Sequence, residues 1–215
     1  MHALHVLYGG TFDPVHAGHL AIARAAHAGL GVSVHLMPAA DPPHRPPPGA
    51  TAAQRVAMLE LALEGEPGLR LDLRELARSG RSWSVDTLRG LRAEIGEAAP
   101  VALLVGADSF AGLPTWKSWR ELFGLAHFVV ASRDGDDGLP PELEAALQGR
   151  MARTPDELSQ SPAGKVLWLH QPLHPHSATA IRARIAAGQP WRHLVPAPVA
   201  GYIDAHGLYR AVTGP

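Results

Sequence analysis

His16 and His19 stand three residues apart, just behind Gly9, Gly10, Thr11, Phe12, Asp13 and Pro14, in the stretch GGTFDPVHAGH. Imidazoles at that spacing share one face of a helix and can aim at the same bound group. Paired glycines leave room for a ligand against the backbone, and T-F-D-P is turn-forming chemistry. A helix starting here would present unpaired N–H groups and its positive dipole end, which suits an anion. The phosphates of a nucleotide are the expected occupant. Candidate contacts are Gly9, Gly10, Thr11, Phe12, His16, Gly18 and His19. Two other phosphate loops are excluded: neither G-x-x-x-x-G-K-[ST] nor G-x-G-x-x-G is present, and the lysines, Lys117 and Lys165, are in no such setting.

Periodicity predicts the elements that must position these groups. Residues 4–8 read as a buried strand, and from about Gly18 the apolar residues Leu20, Ile22, Ala23 and Ala26 take helical spacing. Further strands are expected over 32–37, 69–73, 101–105, 127–131 and 166–169. Helices are expected from Thr51 with Val56, Leu59 and Leu63 inward, and from about Ser84 with Val85, Leu88, Leu91 and Ile95 inward. Another should run from the N-cap Ser177 to about Ala187, closed by Gly188. Residues 142–163 suggest a helix and a polar connection of no assigned chemistry. The alternation predicts an α/β fold: one Rossmann-like domain over 1–215, with a mostly parallel doubly wound sheet, helices on both faces and a small helical part from about 176.

In such a fold the segments after strand C-termini face the ligand. One is the loop 38–50, whose six prolines forbid regular structure and which carries His44 and Arg45. A second is Gly106-Ala107-Asp108, behind the plainest central strand, VALLV.

Composition narrows the chemistry. With 215 residues, 46% of them hydrophobic, and a mean hydropathy near zero, a soluble globule is expected, with no membrane partner. The lack of a leader pattern makes the cytoplasm the default. Cysteine is absent, so no thiolate nucleophile or cysteine metal site exists. A formal charge of −1 gives no attraction toward nucleic acid.

The motif resembles the signature of the HxGH nucleotidylyltransferase superfamily, in the form carried by the bacterial nicotinate mononucleotide adenylyltransferases. The resemblance extends from Val6 to Tyr209 and is weakest over about 135–165. Pro-His44-Arg45 resembles the family's PPHK, with Arg for Lys, and Arg55 with Met58 matches its R-x-x-M. SWSVDTL resembles SYTxDTL, with Trp83 and Ser84 replacing Tyr and Thr. GADSFAGLPTWKSW resembles GADxxxxLxxWxxW, although Lys117 stands where an aromatic often follows the first Trp. Arg133-Asp134-Gly135 resembles an R-P-G loop without its Pro. HSATAIR resembles ISSTxIR, with His176 and Ala178 as departures. The last segment, ending in Leu208 and Tyr209, resembles LxPxxVxxYIxxxxLY and reads as packing.

What the resemblance implies is transfer of AMP from ATP to nicotinate mononucleotide, releasing pyrophosphate, on the route to NAD. ATP would meet Gly106, Asp108, Ser177, Thr179, Ile181 and Arg182 besides the first motif, with Arg182 joining His16 and His19 as catalytic. The mononucleotide would meet His44, Arg45, Ser84, Trp116, Lys117 and Arg133, Trp116 stacking on the base while Trp119 packs as structure. Mg²⁺ is expected as a counter-charge carried by the nucleotide, with no protein metal site, and the chain as a monomer or small homo-oligomer. Alternatives are AMP transfer to nicotinamide mononucleotide or another phosphate acceptor, and a nucleotide-binding regulatory module without turnover.

Overall fold

Strands with no polar face need cover on both sides, and helices alternating with them supply it. The structure, a computed structural model, describes residues 3–40, 49–78, 83–132, 138–170 and 177–211. In chain order the elements are β1 (His5–Gly10), α1 (Ala17–Leu30), β2 (Val34–Pro38), α2 (Ala52–Leu63), β3 (Leu69–Leu71), α3 (Ser84–Ile95) and β4 (Val101–Gly106). There follow α4 (Ala107–Ala111), α5 (Trp119–Leu125), β5 (His127–Ser132), α6 (Pro141–Ala146), α7 (Asp156–Ser159), β6 (Val166–His170), α8 (Ala178–Ala186) and α9 (Ala197–Ala205).

The six strands form one sheet in the order β3-β2-β1-β4-β5-β6, and every neighbouring pair is parallel. This is the doubly wound Rossmann order, which reverses direction between β1 and β4. Alternate residues feed two cores. Val6 and Tyr8 of β1 and Ala102 and Leu104 of β4 join Leu20, Met58, Ile181 and Val199 on one face. Leu7, Leu103 and Val105 join Val85, Leu88, Phe110 and Leu122 on the other.

Several boundaries and faces differ from the sequence reading. β1 runs on to Gly10, so the paired glycines end the strand rather than follow it. The buried face of α2 is Arg55, Met58, Leu59 and Ala62, while Val56 and Leu63 are only partly covered. An arginine enters that face because the carbonyls of Thr11 and Ala40 wait there, 2.8 and 3.4 Å from its Nη atoms. Thr51 caps α2 as expected, through a reciprocal pair of hydrogen bonds with Gln54. α3 begins at Ser84 as expected, and its cap residue is Trp83, without a side-chain bond. Residues 142–163 hold most of α6 and all of α7.

Burial also fixes one histidine's protonation. His127 in β5 is fully buried; its Nδ1 accepts the Lys165 N–H at 3.0 Å, and its Nε2 donates to the Ser161 carbonyl at 2.8 Å. Burial, above all, lowers its pKa from 6.5, with Arg92 adding to the effect and the Ser161 carbonyl opposing it. The unfolded chain therefore takes up a proton that the native state resists. The contribution is fully present above about pH 6.5 and is lost as pH falls. The thermal midpoint should drop between about pH 7.5 and about pH 5.5, and His127→Gln should flatten part of that drop. Identical pH profiles for variant and wild type would contradict the assignment.

Candidate active site

The strand order reverses between β1 and β4, the position above which sheets of this kind bind ligands. From β1 comes the loop 11–16, and from β4 the turn into α4. Gly10 is required by packing: a Cβ there would stand 2.9 Å from the ring of Phe12, which is fully buried at φ 51°. Gly9 shows no such crowding, since its nearest neighbour would be the Met37 methyl at 3.7 Å. Phe12 thus serves as a plug beneath the loop, edge-on to His19 at 4.9 Å and to Tyr8 at 5.7 Å.

The two histidines cap α1 with their side chains. His16 is the N-cap and its Nδ1 accepts the Gly18 N–H at 3.1 Å; His19, at the third helical position, accepts the His16 N–H through Nδ1 at 3.3 Å. An Nδ1 that accepts carries no proton, so hydrogen bonding assigns each neutral ring its proton at Nε2. The rings lie 3.7 Å apart at 30°. Two amides of the helix mouth, those of His16 and Gly18, are therefore taken by imidazoles, each of which turns an Nε2–H outward from its capping Nδ1. The sequence alone suggested bare amides.

Asp13 holds the loop in place. It is almost wholly buried, and its carboxylate accepts the Gly49 N–H at 2.8 Å, the Ala50 N–H at 3.1 Å and the Tyr209 hydroxyl at 2.7 Å. Arg182 donates through Nη1 to the Asp13 carbonyl at 2.7 Å and lies 3.7 Å from its carboxylate. Its Nη2 donates to Thr179 at 3.3 Å. On the core side, Arg55 bonds the Thr11 carbonyl. Burial lowers the pKa of Arg55, while Asp13 and Tyr209 act the other way. Tyr209 is held protonated, first by burial and then by the Asp13 carboxylate beside it.

So the structure ties Arg182 to Asp13, in the loop that leads into the His16–His19 cap. Ser177 caps α8 by accepting the Ala180 N–H at 3.2 Å, and Thr179 is exposed. Ile181 is fully buried in the core, so only its backbone can face a ligand. Gly106 ends β4 with open space where a Cβ would stand, and Asp108 is exposed in the first turn of α4. At the start of α3, Lys117 pairs with Asp86 at 2.9 Å and lies 5.6 Å from the Trp83 ring, which gathers Ser84, Trp83 and Lys117. Trp116 is half-buried, whereas Trp119 is buried, as expected of a residue that packs as structure. His44, Arg45 and Arg133 lie outside the described residues.

Sequence reasoning missed Asp13 and Tyr209. Asp in T-F-D-P reads as a turn residue, and Tyr209 as packing. Leu208 does pack, but the Tyr209 hydroxyl belongs to the loop. The available signal was an aspartate inside a motif that otherwise carries no charge but histidine.

A family model described as cytidylyltransferase-like matches residues 7–184. A Stenotrophomonas maltophilia protein named "Probable nicotinate-nucleotide adenylyltransferase" is 58% identical over 221 residues, covering 99% of this chain and 100% of its own. One of the same name from Marinobacter nauticus is 49% identical, with 97% of each chain covered. Among solved structures, Plasmodium falciparum nicotinic acid mononucleotide adenylyltransferase complexed with NaAD superposes with a TM-score of 0.74 over 97% of this chain and 98% of that one. At 14% identity that likeness speaks for the fold alone.

Tyr209→Phe removes a hydrogen bond to a buried carboxylate, a loss of about 1.5–3 kcal/mol. At about 2–4 °C per kcal/mol, the thermal midpoint should fall by about 3–12 °C. In the wild type this contribution is present below about pH 10 and lost as pH rises, because the folded phenol resists ionisation. The variant should lack that alkaline loss. A midpoint within a degree of wild type would remove Tyr209 from the network.

Proposed function

We propose a reaction for this chain, which belongs to the cytidylyltransferase-like family: transfer of AMP from ATP to nicotinate mononucleotide, giving nicotinate adenine dinucleotide and pyrophosphate. The observation that carries the reading is the reciprocal histidine cap at the switch-point crevice, with Arg182 bonded to the same loop. The name shared by relatives that match nearly the whole chain supports the substrate pair.

The mononucleotide's 5′-phosphate oxygen attacks the α-phosphorus of ATP in line. A new P–O bond forms as the bond to the bridging oxygen breaks, and pyrophosphate carries away the electron pair. The attacking oxygen is already anionic, so no base and no enzyme nucleophile is needed. Catalysis then rests on positioning two polyanions and meeting charge that grows on the leaving oxygen. His16 and His19 would donate through Nε2 to ATP phosphates, and the Gly9–Gly10 backbone with Thr11 would lie along the α-phosphate. Arg182, steered by Asp13 and Thr179, would meet the departing pyrophosphate. The neutral tautomer suits this task, because a ring that caps through Nδ1 donates from one defined atom. Gly106 and Asp108 bound the ATP side, while Ser84, Trp116 and Lys117 bound the pyridine side, with Trp116 as the stacking wall.

Mg²⁺ would enter bound to the nucleotide and offset phosphate charge. Asp13 is unsuited as its ligand, being engaged by two amides, a hydroxyl and Arg182, whereas Asp108 is exposed in the first turn of α4. The chain is proposed to act as one unit, since α9 packs with α2 in the core that backs the loop. Among the described residues no helix is long and apolar enough to cross a membrane, and cytoplasmic action is part of the proposal.

Pyrophosphate release from ATP, assayed with the acid and the amide mononucleotide in turn, tests the reading. Release should favour the acid; preference for the amide would reassign the acceptor, and nucleotide binding without release would favour a sensor. His19→Ala should lower turnover by about 10²-fold or more, as for loss of one oxyanion-type donor. Trp116→Ala should raise KM for the mononucleotide and leave that for ATP unchanged. An ATP-selective defect would give that wall to the other substrate.

A further inference from the structure

At the opposite end of β1 from the loop, three side chains that the reaction does not use come together. His5 opens β1, His35 lies within β2, and Asp72 directly follows β3. The parallel register pairs Leu7 with His35 and His35 with Arg70, and the Asp72 N–H continues the ladder to the Leu36 carbonyl at 2.9 Å. Side chains alternate along each strand, so His5, His35 and Asp72 step across one face of the sheet. Each offers a ligand atom, and these atoms all lie within 4.8 Å of one another. Among the described residues this is the one such group of three.

Two observations point to a cation. The Nε2 of His5 is buried and meets no hydrogen-bond partner among the described residues, a desolvated donor–acceptor with nothing in return. Finally, Arg74 fixes the carboxylate: its Nε meets both Asp72 oxygens, at 3.0 and 2.8 Å, while its Nη1 reaches Glu94 on α3 at 3.1 Å. A carboxylate has about four lone-pair sites, so Asp72 can hold Arg74 and still face the rings. Orientation of a ligating carboxylate by an outer hydrogen bond is the usual arrangement around a bound metal.

We propose that His5, His35 and Asp72 form a Zn²⁺ site that clips β1, β2 and β3 together. Two imidazole nitrogens and one carboxylate oxygen disfavour Mg²⁺ and Ca²⁺, which take oxygen alone, and suit zinc with water as the fourth ligand. The rings now stack with centroids 4.5 Å apart. Ligand nitrogens about 3.3 Å apart would complete a tetrahedral centre with Zn–N near 2.0 Å, within reach of a side-chain rotation. At about 3.3 Å of rise per residue, His5 stands about 16 Å along β1 from Gly10, so the clip is separate from nucleotide chemistry.

The test uses the full chain, stripped with a chelator and dialysed against zinc chloride, with bound metal counted by elemental analysis. Wild type should retain one Zn²⁺ per chain more than His35→Gln does, and its thermal midpoint should rise by several degrees in zinc while that of His35→Gln does not. The double variant His16→Ala, His19→Ala should keep the extra ion, which separates this site from the crevice. Co²⁺ should give the intense visible absorption of a four-coordinate centre in wild type and lose it in His35→Gln. If that variant does not fold, Asp72→Asn is read instead, with at least tenfold weaker zinc binding expected. Equal zinc uptake by wild type and the ligand variants, or none by wild type, overturns the proposal.

Discussion

A buried carboxylate governs this structure. Asp13 sits in a loop that must stay close to one shape, yet the loop itself contributes little regular hydrogen bonding. Its carboxylate accepts from the Gly49 and Ala50 amides and from Tyr209, and its carbonyl from Arg182. A buried charge is tolerable only when its lone pairs are met. Each partner therefore has to be present, and each belongs to a different part of the chain. The segment before α2, the helix α8 and the segment beyond α9 are drawn to one point by that single requirement.

From that fixed loop the helix α1 departs, and its first turn shows how geometry becomes chemistry. A helix start normally offers amides to an anion. Here two imidazoles stand over the amides, each held at Nδ1, so donors are moved outward by the breadth of a ring and given one orientation. Phe12 beneath His19 and the second ring beside it restrict any swing. Preorganised donors of this kind need little rearrangement when charge develops, which is the condition under which electrostatic catalysis is strongest.

Much of this could be read from the chain. Apolar runs alternating with amphipathic helices are local patterns, so the parallel sheet, the Thr51 cap and the Ser177 cap were legible. The His16–His19 pair was legible for the same reason, since three residues of spacing suffice to place both rings. What remained hidden depends on distant partners. Asp13 meets Gly49 across 36 residues, Arg182 across 169 and Tyr209 across 196. No periodicity encodes such meetings. Arg55 was hidden differently: an apolar-face rule prefers Val56, but carbonyls from the loop made a guanidinium the better fit at that place. His5 and His35 carry no local signal of their meeting, because their proximity comes from register between strands.

The reach of the Tyr209 bond bears on when the crevice takes its working shape. Joining groups 196 residues apart requires most of the polypeptide to be gathered first, and the entropy of closing so long a loop falls on that contact. Local turns and neighbouring strands close at far smaller entropic expense. The shape of the loop around Asp13 thus depends on early and late segments of the chain having met.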